Sequence, residues 1–271
     1  MRHLVLSLLA ATGLAAADWA PAGSPATTDQ WHGYTRHRFT IEGCKAWVVE
    51  PAQAAPGRPW SWTMMFPDAF VDRCAATGLL ARGFHHVHID LGNTFGSPAA
   101  LAKADAFARH LESKGLTSKV SLIGLSRGGL FIYRWAARNP DRVAVLYGDA
   151  PVCDIRSWPA GKVGTGTGSP KDWAELQRCY GFADEAAALA FRENPIDVLA
   201  PLAAARIPAI HVVGDADTVV PPADNTLVLA ERYRALGGTI EVIHRPGVGH
   251  HPHGLDDPKP VLDFISAHQA R

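Results

Sequence analysis

Lys119 to Gly129 reads K-V-S-L-I-G-L-S-R-G-G and runs directly into L-F-I-Y-R-W-A-A-R. Val120, Leu122 and Ile123 give this stretch the short, apolar, β-branched character of a buried strand, and after Ser126 the apolar spacing lengthens to that of a helix. A chain that passes from strand to helix over so few residues must turn sharply, and Ser126 stands at the corner. The pattern Gly124-x-Ser126-x-Gly128, with Gly129 following, supplies neighbours without a Cβ, so strand and helix can approach closely enough to hold a serine in strained backbone angles. Such a turn projects the hydroxyl outward, at the N-terminal end of a helix whose amides favour negative charge. Ser126 is therefore the first candidate nucleophile, and the chain must supply a sheet for the turn to rest on.

The remaining sequence supplies it. Apolar strand-like runs fall near His37–Glu42, Lys45–Glu50, Trp60–Phe66, His85–Leu91, Arg142–Tyr147, Ala209–Val213 and Thr239–His244. Helical patterns fall near Val71–Arg82, from Pro98 to about Lys114, after Ser126 up to Asn139-Pro140, and near Ala223–Leu236 and Pro258–His268. Strands alternating with helices predict an α/β fold, a mostly parallel sheet covered on both faces. Residues 152–208 break the rhythm after the sixth predicted strand. They hold a glycine-rich run expected to be flexible, Gly161 to Ser169, and two helical pieces near Asp172–Cys179 and Asp184–Arg192, and are read as a small insertion forming a lid.

The N-terminus reads as a targeting segment. A basic start, Met1-Arg2-His3, precedes a short apolar stretch and an Ala15-Ala16-Ala17 cleavage pattern, which predicts a signal peptide over 1–17 and a periplasmic or secreted protein. Residues 18–36 then form a surface lead-in and 37–271 the main domain. No stretch is long and apolar enough for a membrane anchor. In an oxidising compartment Cys44, Cys74, Cys153 and Cys179 are candidates for disulfides, preferred as 44 with 74 and 153 with 179, each pair within one half of the chain. Lys plus Arg equal Asp plus Glu at 26 each, a balance that leaves no electrostatic footprint for nucleic acid.

A serine hydroxyl needs a histidine to take its proton, and that histidine needs an acceptor to fix its tautomer. Sites in such sheets form at the carboxyl ends of strands. Gly214-Asp215-Ala216-Asp217-Thr218-Val219-Val220-Pro221 and Gly247-Val248-Gly249-His250-His251-Pro252-His253 follow the last two predicted strands. With Gly124-x-Ser126-x-Gly128, they resemble the α/β-hydrolase superfamily in its chain order of serine, acid and histidine. The resemblance covers nearly everything after Arg36 and implies Ser126 as nucleophile, Asp217 as acid and His250 as base. Asp215 is expected to hold its turn by Asx-type bonding, and Asp149 is the outside alternative for the acid. The resemblance also implies an oxyanion hole from the Arg127 amide and an amide of Asp68-Ala69-Phe70, with Ala69 chosen, although the His-Gly or Gly-Gly usual there is absent.

His85, His86 and His88 are expected as core residues, with His86 and His88 on one face of a strand. No metal or cofactor is expected, and zinc chelation by His250-His251-Pro252-His253 stays an alternative. By analogy with exported members of the superfamily, the chain is expected to be a serine esterase acting through an acyl-enzyme on acetyl or feruloyl esters of carbohydrate. Trp158 and Trp173 would form a sugar platform, or else pack the insertion. The expected partner is a small-molecule or polysaccharide ester, and the expected assembly a monomer or small homo-oligomer. A peptidase similar to the prolyl oligopeptidase catalytic domain, or a binding protein on a hydrolase scaffold, are the alternatives.

Overall fold

The sheet begins with two tight hairpins. β1 (Thr27–Trp31), β2 (Tyr34–Ile41) and β3 (Cys44–Val49) run antiparallel, joined by the two-residue turns His32-Gly33 and Glu42-Gly43. Both residues of each turn have positive φ, between 48° and 84°. Such turns carry the same twist as the strands they join, and a glycine in the second position adopts this conformation at little cost. The computed structural model describes residues 19–269; the expected signal peptide lies outside the described residues.

From β3 onward the alternation takes over: β4 (Trp60–Thr63), α1 (Ala76–Ala81), β5 (His85–Ile89), α2 (Pro98–Ser113), β6 (Val120–Leu125), α3 (Gly128–Arg138) and β7 (Val143–Asp149). Three helices follow between β7 and the next strand: α4 (Pro170–Tyr180), α5 (Glu185–Leu189) and α6 (Ala200–Ala204). β8 (Ala209–Gly214), α7 (Thr226–Ala235), β9 (Ile240–Arg245) and α8 (Lys259–Gln269) complete the described residues. The nine-stranded sheet has the order β1-β2-β3-β5-β4-β6-β7-β8-β9, and every pair from β5 to β9 is parallel. No helix among the described residues is long and apolar enough to cross a membrane.

Side chains alternate along β6, and the alternation divides the core. Leu122 faces a layer with Trp62, Phe107, Phe131 and Trp135, under α2 and α3. Ile123 and Leu125 face the opposite layer, with Leu79 of α1, Tyr147, and Val261 and Ile265 of α8. Trp62 is fully buried and meets Trp135 and Phe107 edge-on, with ring centroids 5.4 Å and 5.3 Å away. Removing such a ring would cost about 3–5 kcal/mol.

Some expectations change. The lead-in contains β1, so the insertion follows the seventh strand and not the sixth. The helix expected from Val71 begins only at Ala76, because Ala75, with φ 69°, is in the left-handed region. The Gly161–Ser169 run is tied down, with the Thr165 amide on Asp224 at 2.8 Å and the Thr167 amide on the Thr218 carbonyl at 3.2 Å.

All four cysteines are free thiols, which corrects both expected disulfides. Cys44 packs against the α2 side of the sheet and Cys74 lies in the layer on the other side. Cys153 is buried with its Sγ toward the Pro151 carbonyl, whereas Cys179 on α4 lies by the Asn93 carbonyl.

Candidate active site

β6 ends at Ser126, whose φ of 50° is the left-handed conformation that the sharp turn imposes. The surrounding backbone fixes it: the Ser126 amide donates to the Asp149 carbonyl at 2.9 Å, and its own carbonyl accepts from the amides of Gly129 and Val152. The glycines differ in what they permit. A Cβ on Gly124 would lie 2.7 Å from the Gly128 carbonyl oxygen, and one on Gly129 would lie 2.6 Å from the Val152 carbonyl oxygen. At Gly128 the nearest atom would be the Met65 Cβ at 3.4 Å, an ordinary contact.

The loops after β8 and β9 pack backbone to backbone. A Cβ on Gly214 would lie 2.3 Å from the Val248 carbonyl oxygen, and the Ala216 amide donates to that same carbonyl at 2.9 Å. This contact carries Asp217 and His250 to the same place. His250 Nδ1 lies 2.7 Å from Asp217 Oδ2, and His250 Nε2 lies 3.0 Å from Ser126 Oγ. Asp217 Oδ1 accepts from the amides of Val219 and Val220 at 2.8 and 2.9 Å. The carboxylate, with two backbone amides on its other oxygen, therefore accepts a hydrogen bond from His250 Nδ1–H and leaves the Nε2 lone pair to the hydroxyl. The Asx-type bonding expected of Asp215 falls to Asp217, while Asp215 pairs with His244 at 2.7 Å on the surface.

These groups open into a cavity of about 270 Å³ lined by Phe66, Phe70, Trp158 and Val219 beside Ser126 and His250. The Arg127 guanidinium stacks over Trp158 at 4.9 Å and Phe95 at 5.3 Å, and pairs with Asp172 of α4 at 3.2 Å. Trp158 thus lines the cavity while it packs the segment after β7. Trp173 does not line it: it lies in the packing between α4 and α5, with Nε1 donating to Glu185 at 3.0 Å. Ala69 reaches the cavity, but its amide is already committed to the Phe66 carbonyl at 3.0 Å.

No protein-family model matches the chain. Acylamino-acid-releasing enzyme 2 of Oryza sativa subsp. japonica is 28% identical over 138 residues, a stretch that is 48% of this chain and 17% of that protein. Est1E from Butyrivibrio proteoclasticus superposes with a TM-score of 0.65 at 17% identity, covering 91% of this chain and 99% of that one. The bifunctional GH43-CE of Bacteroides eggerthii gives a TM-score of 0.66 at 22% identity, over 84% of this chain and 36% of that one.

The chain has the α/β-hydrolase fold. A second buried histidine–carboxylate pair, which the sequence pattern does not reveal, lies beside the first. His253 Nδ1 lies 2.7 Å from Asp149 Oδ1, and Asp149 Oδ2 accepts from Tyr147 Oη and the Gly254 amide, both at 2.9 Å. Asp149, weighed as an alternative acid, thus serves His253 instead of His250. The only hint in the sequence was the placing of an aspartate at the end of β7 and a third histidine in the β9 loop.

The strand histidines are core residues of the α/β-hydrolase sheet. His86 contacts Ser61 Oγ at 2.8 Å and stacks on Trp31, and His88 Nδ1 meets the Thr63 carbonyl at 2.7 Å. Burial pushes His86 down to about 3 and His85 to about 4, and on β8 burial pushes His211 to about 3.

Proposed function

We propose that the chain is a serine hydrolase in which Ser126 is the nucleophile, His250 the general base and acid, and Asp217 the group that orients His250 and stabilises its imidazolium form. The observation that carries this reading is the unbroken hydrogen-bonded line from Asp217 through His250 to Ser126 Oγ, opening on a cavity. Ser126 Oγ attacks the carbonyl carbon as its proton passes to His250 Nε2, and the imidazolium is stabilised by Asp217. The oxyanion develops beside the N-terminus of α3, where the Arg127 amide is one donor. Because the Ala69 amide is committed elsewhere, we assign the second donor to Phe66, which lines the cavity with φ 57°. Collapse returns the proton to the leaving group, and water repeats the sequence on the acyl-enzyme.

The substrate we propose is a carboxylic ester, of the acetyl or feruloyl carbohydrate type. The aromatic lining of Phe66, Phe70 and Trp158 suits a flat or small acyl group. The match to Est1E over nearly all of both chains supports the ester reading, whereas the rice relative supports a peptidase and is matched over only 17% of its length. Met1 to Ala17 supports export. Side-by-side rates on methyl ferulate, an acetylated xylan and an N-acetyl-alanine anilide test this choice. Turnover of either ester with a silent anilide is expected, and hydrolysis of the anilide alone would replace the ester reading by the peptidase one.

A further inference from the structure

His250, His251 and His253 each bring a ring nitrogen within 4.8 Å of the other two. Their rings close a triangle with centroid separations of 4.9, 4.9 and 4.8 Å. Two of the three are held as metal-bound histidines are held. His250 Nδ1 meets Asp217 at 2.7 Å and His253 Nδ1 meets Asp149 at 2.7 Å, with both carboxylates buried. A carboxylate on Nδ1 fixes the tautomer, keeps a lone pair on Nε2 and makes that nitrogen a better donor. All three rings line the one cavity, and the exposed His251 gives an ion a way in. Two carboxylates behind the rings favour a cation, and the Arg127 charge on the cavity wall is matched by Asp172 at 3.2 Å.

We propose that these three histidines bind a divalent cation of the zinc type, and that binding and hydrolysis exclude one another. Three imidazoles with no oxygen ligand select zinc or a neighbouring transition metal over magnesium or calcium. Tetrahedral coordination at about 2.0–2.1 Å draws the nitrogens to about 3.4 Å apart, a modest closing in which the exposed His251 ring moves furthest. Each nitrogen donates a lone pair and no proton or electron is transferred. The ion takes the lone pair of His250 Nε2 that Ser126 Oγ otherwise uses, so the hydroxyl loses its base. This second clause rests on the proposed serine mechanism, and the first does not.

Calorimetric titration of metal-stripped protein with zinc chloride, in a buffer that does not chelate, tests the site. One zinc per chain is expected, with binding weakened at least tenfold in His251→Ala and in His253→Gln, retained in Ser126→Ala, and unchanged in His244→Ala at the surface. Near-UV circular dichroism checks that the His253 variant is folded, and His251→Ala, at an exposed position, decides the matter if it is not. Absence of stoichiometric binding, or binding indifferent to His251→Ala, would overturn the site. Ester hydrolysis by the wild type should fall along the same zinc curve and return with a chelator. Full activity at saturating zinc would overturn the exclusion, whereas a wild type silent without zinc would tell against the proposed function and leave the calorimetry to decide the site.

Discussion

Asp149, at the end of β7, accepts a hydrogen bond from His253 Nδ1 at 2.7 Å and so ties a sheet strand to the loop that carries His250. Its other oxygen holds Tyr147 and the Gly254 amide. Asp217 makes the parallel contact to His250. The two pairs have different expected consequences when broken.

Asp149→Asn leaves at least one buried donor facing an amide hydrogen. It should cost about 2–4 kcal/mol of stability, read as a lower urea midpoint. Asp217→Asn should act on chemistry instead, lowering kcat about 10⁴-fold through the wrong imidazole tautomer while KM changes little. A catalytic loss that is the larger in Asp149→Asn, with the fold intact, would reverse these assignments.

The elbow glycines should separate cleanly. Gly129→Ala drives a methyl to within 2.6 Å of the Val152 carbonyl oxygen, and the loss expected is about 1–3 kcal/mol together with most of the activity. Gly128→Ala meets only Met65 at 3.4 Å and should keep both. Thermal melts and ester rates on the two variants check this, and equal damage in both would show that the Gly124-x-Ser126-x-Gly128 spacing matters for a reason other than space.

Acid should destabilise the fold through its buried histidines. In the unfolded chain they protonate near 6.5, whereas burial holds His85 at about 4 and His86 and His211 at about 3 when folded. Between those values the unfolded state binds more protons, so the contribution is complete above pH 6.5 and is lost as pH falls toward about 3. Each contributes about 1.4 kcal/mol per unit below its unfolded value, or about 3–4 kcal/mol together at pH 5.5. Urea midpoints at pH 7.5 and 5.5 measure it, and equal midpoints would mean that these rings are protonated in the native state.

What could be read from the sequence was local. Ser126 among its glycines, and the aspartates and histidines directly after apolar strands, carry their signal in adjacent residues, and the fold brings Ser126, His250 and Asp217 together. β1 was not legible because Thr27 to Gln30 are exposed and only Trp31 reaches the core, so the strand depends on its hairpin partner. The Cys44–Cys74 pairing failed because the two end in layers on opposite faces of the sheet, which no spacing along the chain reveals. That the Ala69 amide is occupied by one hydrogen bond, to the Phe66 carbonyl, is also invisible in the sequence. Which carboxylate meets which histidine is likewise set by contacts across the sheet.

In the proposed mechanism Ser126 is a nucleophile activated by His250. Initial rates of 4-nitrophenyl acetate hydrolysis by wild type and Ser126→Ala, at equal concentration and verified folding, test it most directly. The expected result is a fall in turnover on the order of 10⁶-fold. Equal rates in the two proteins would contradict it.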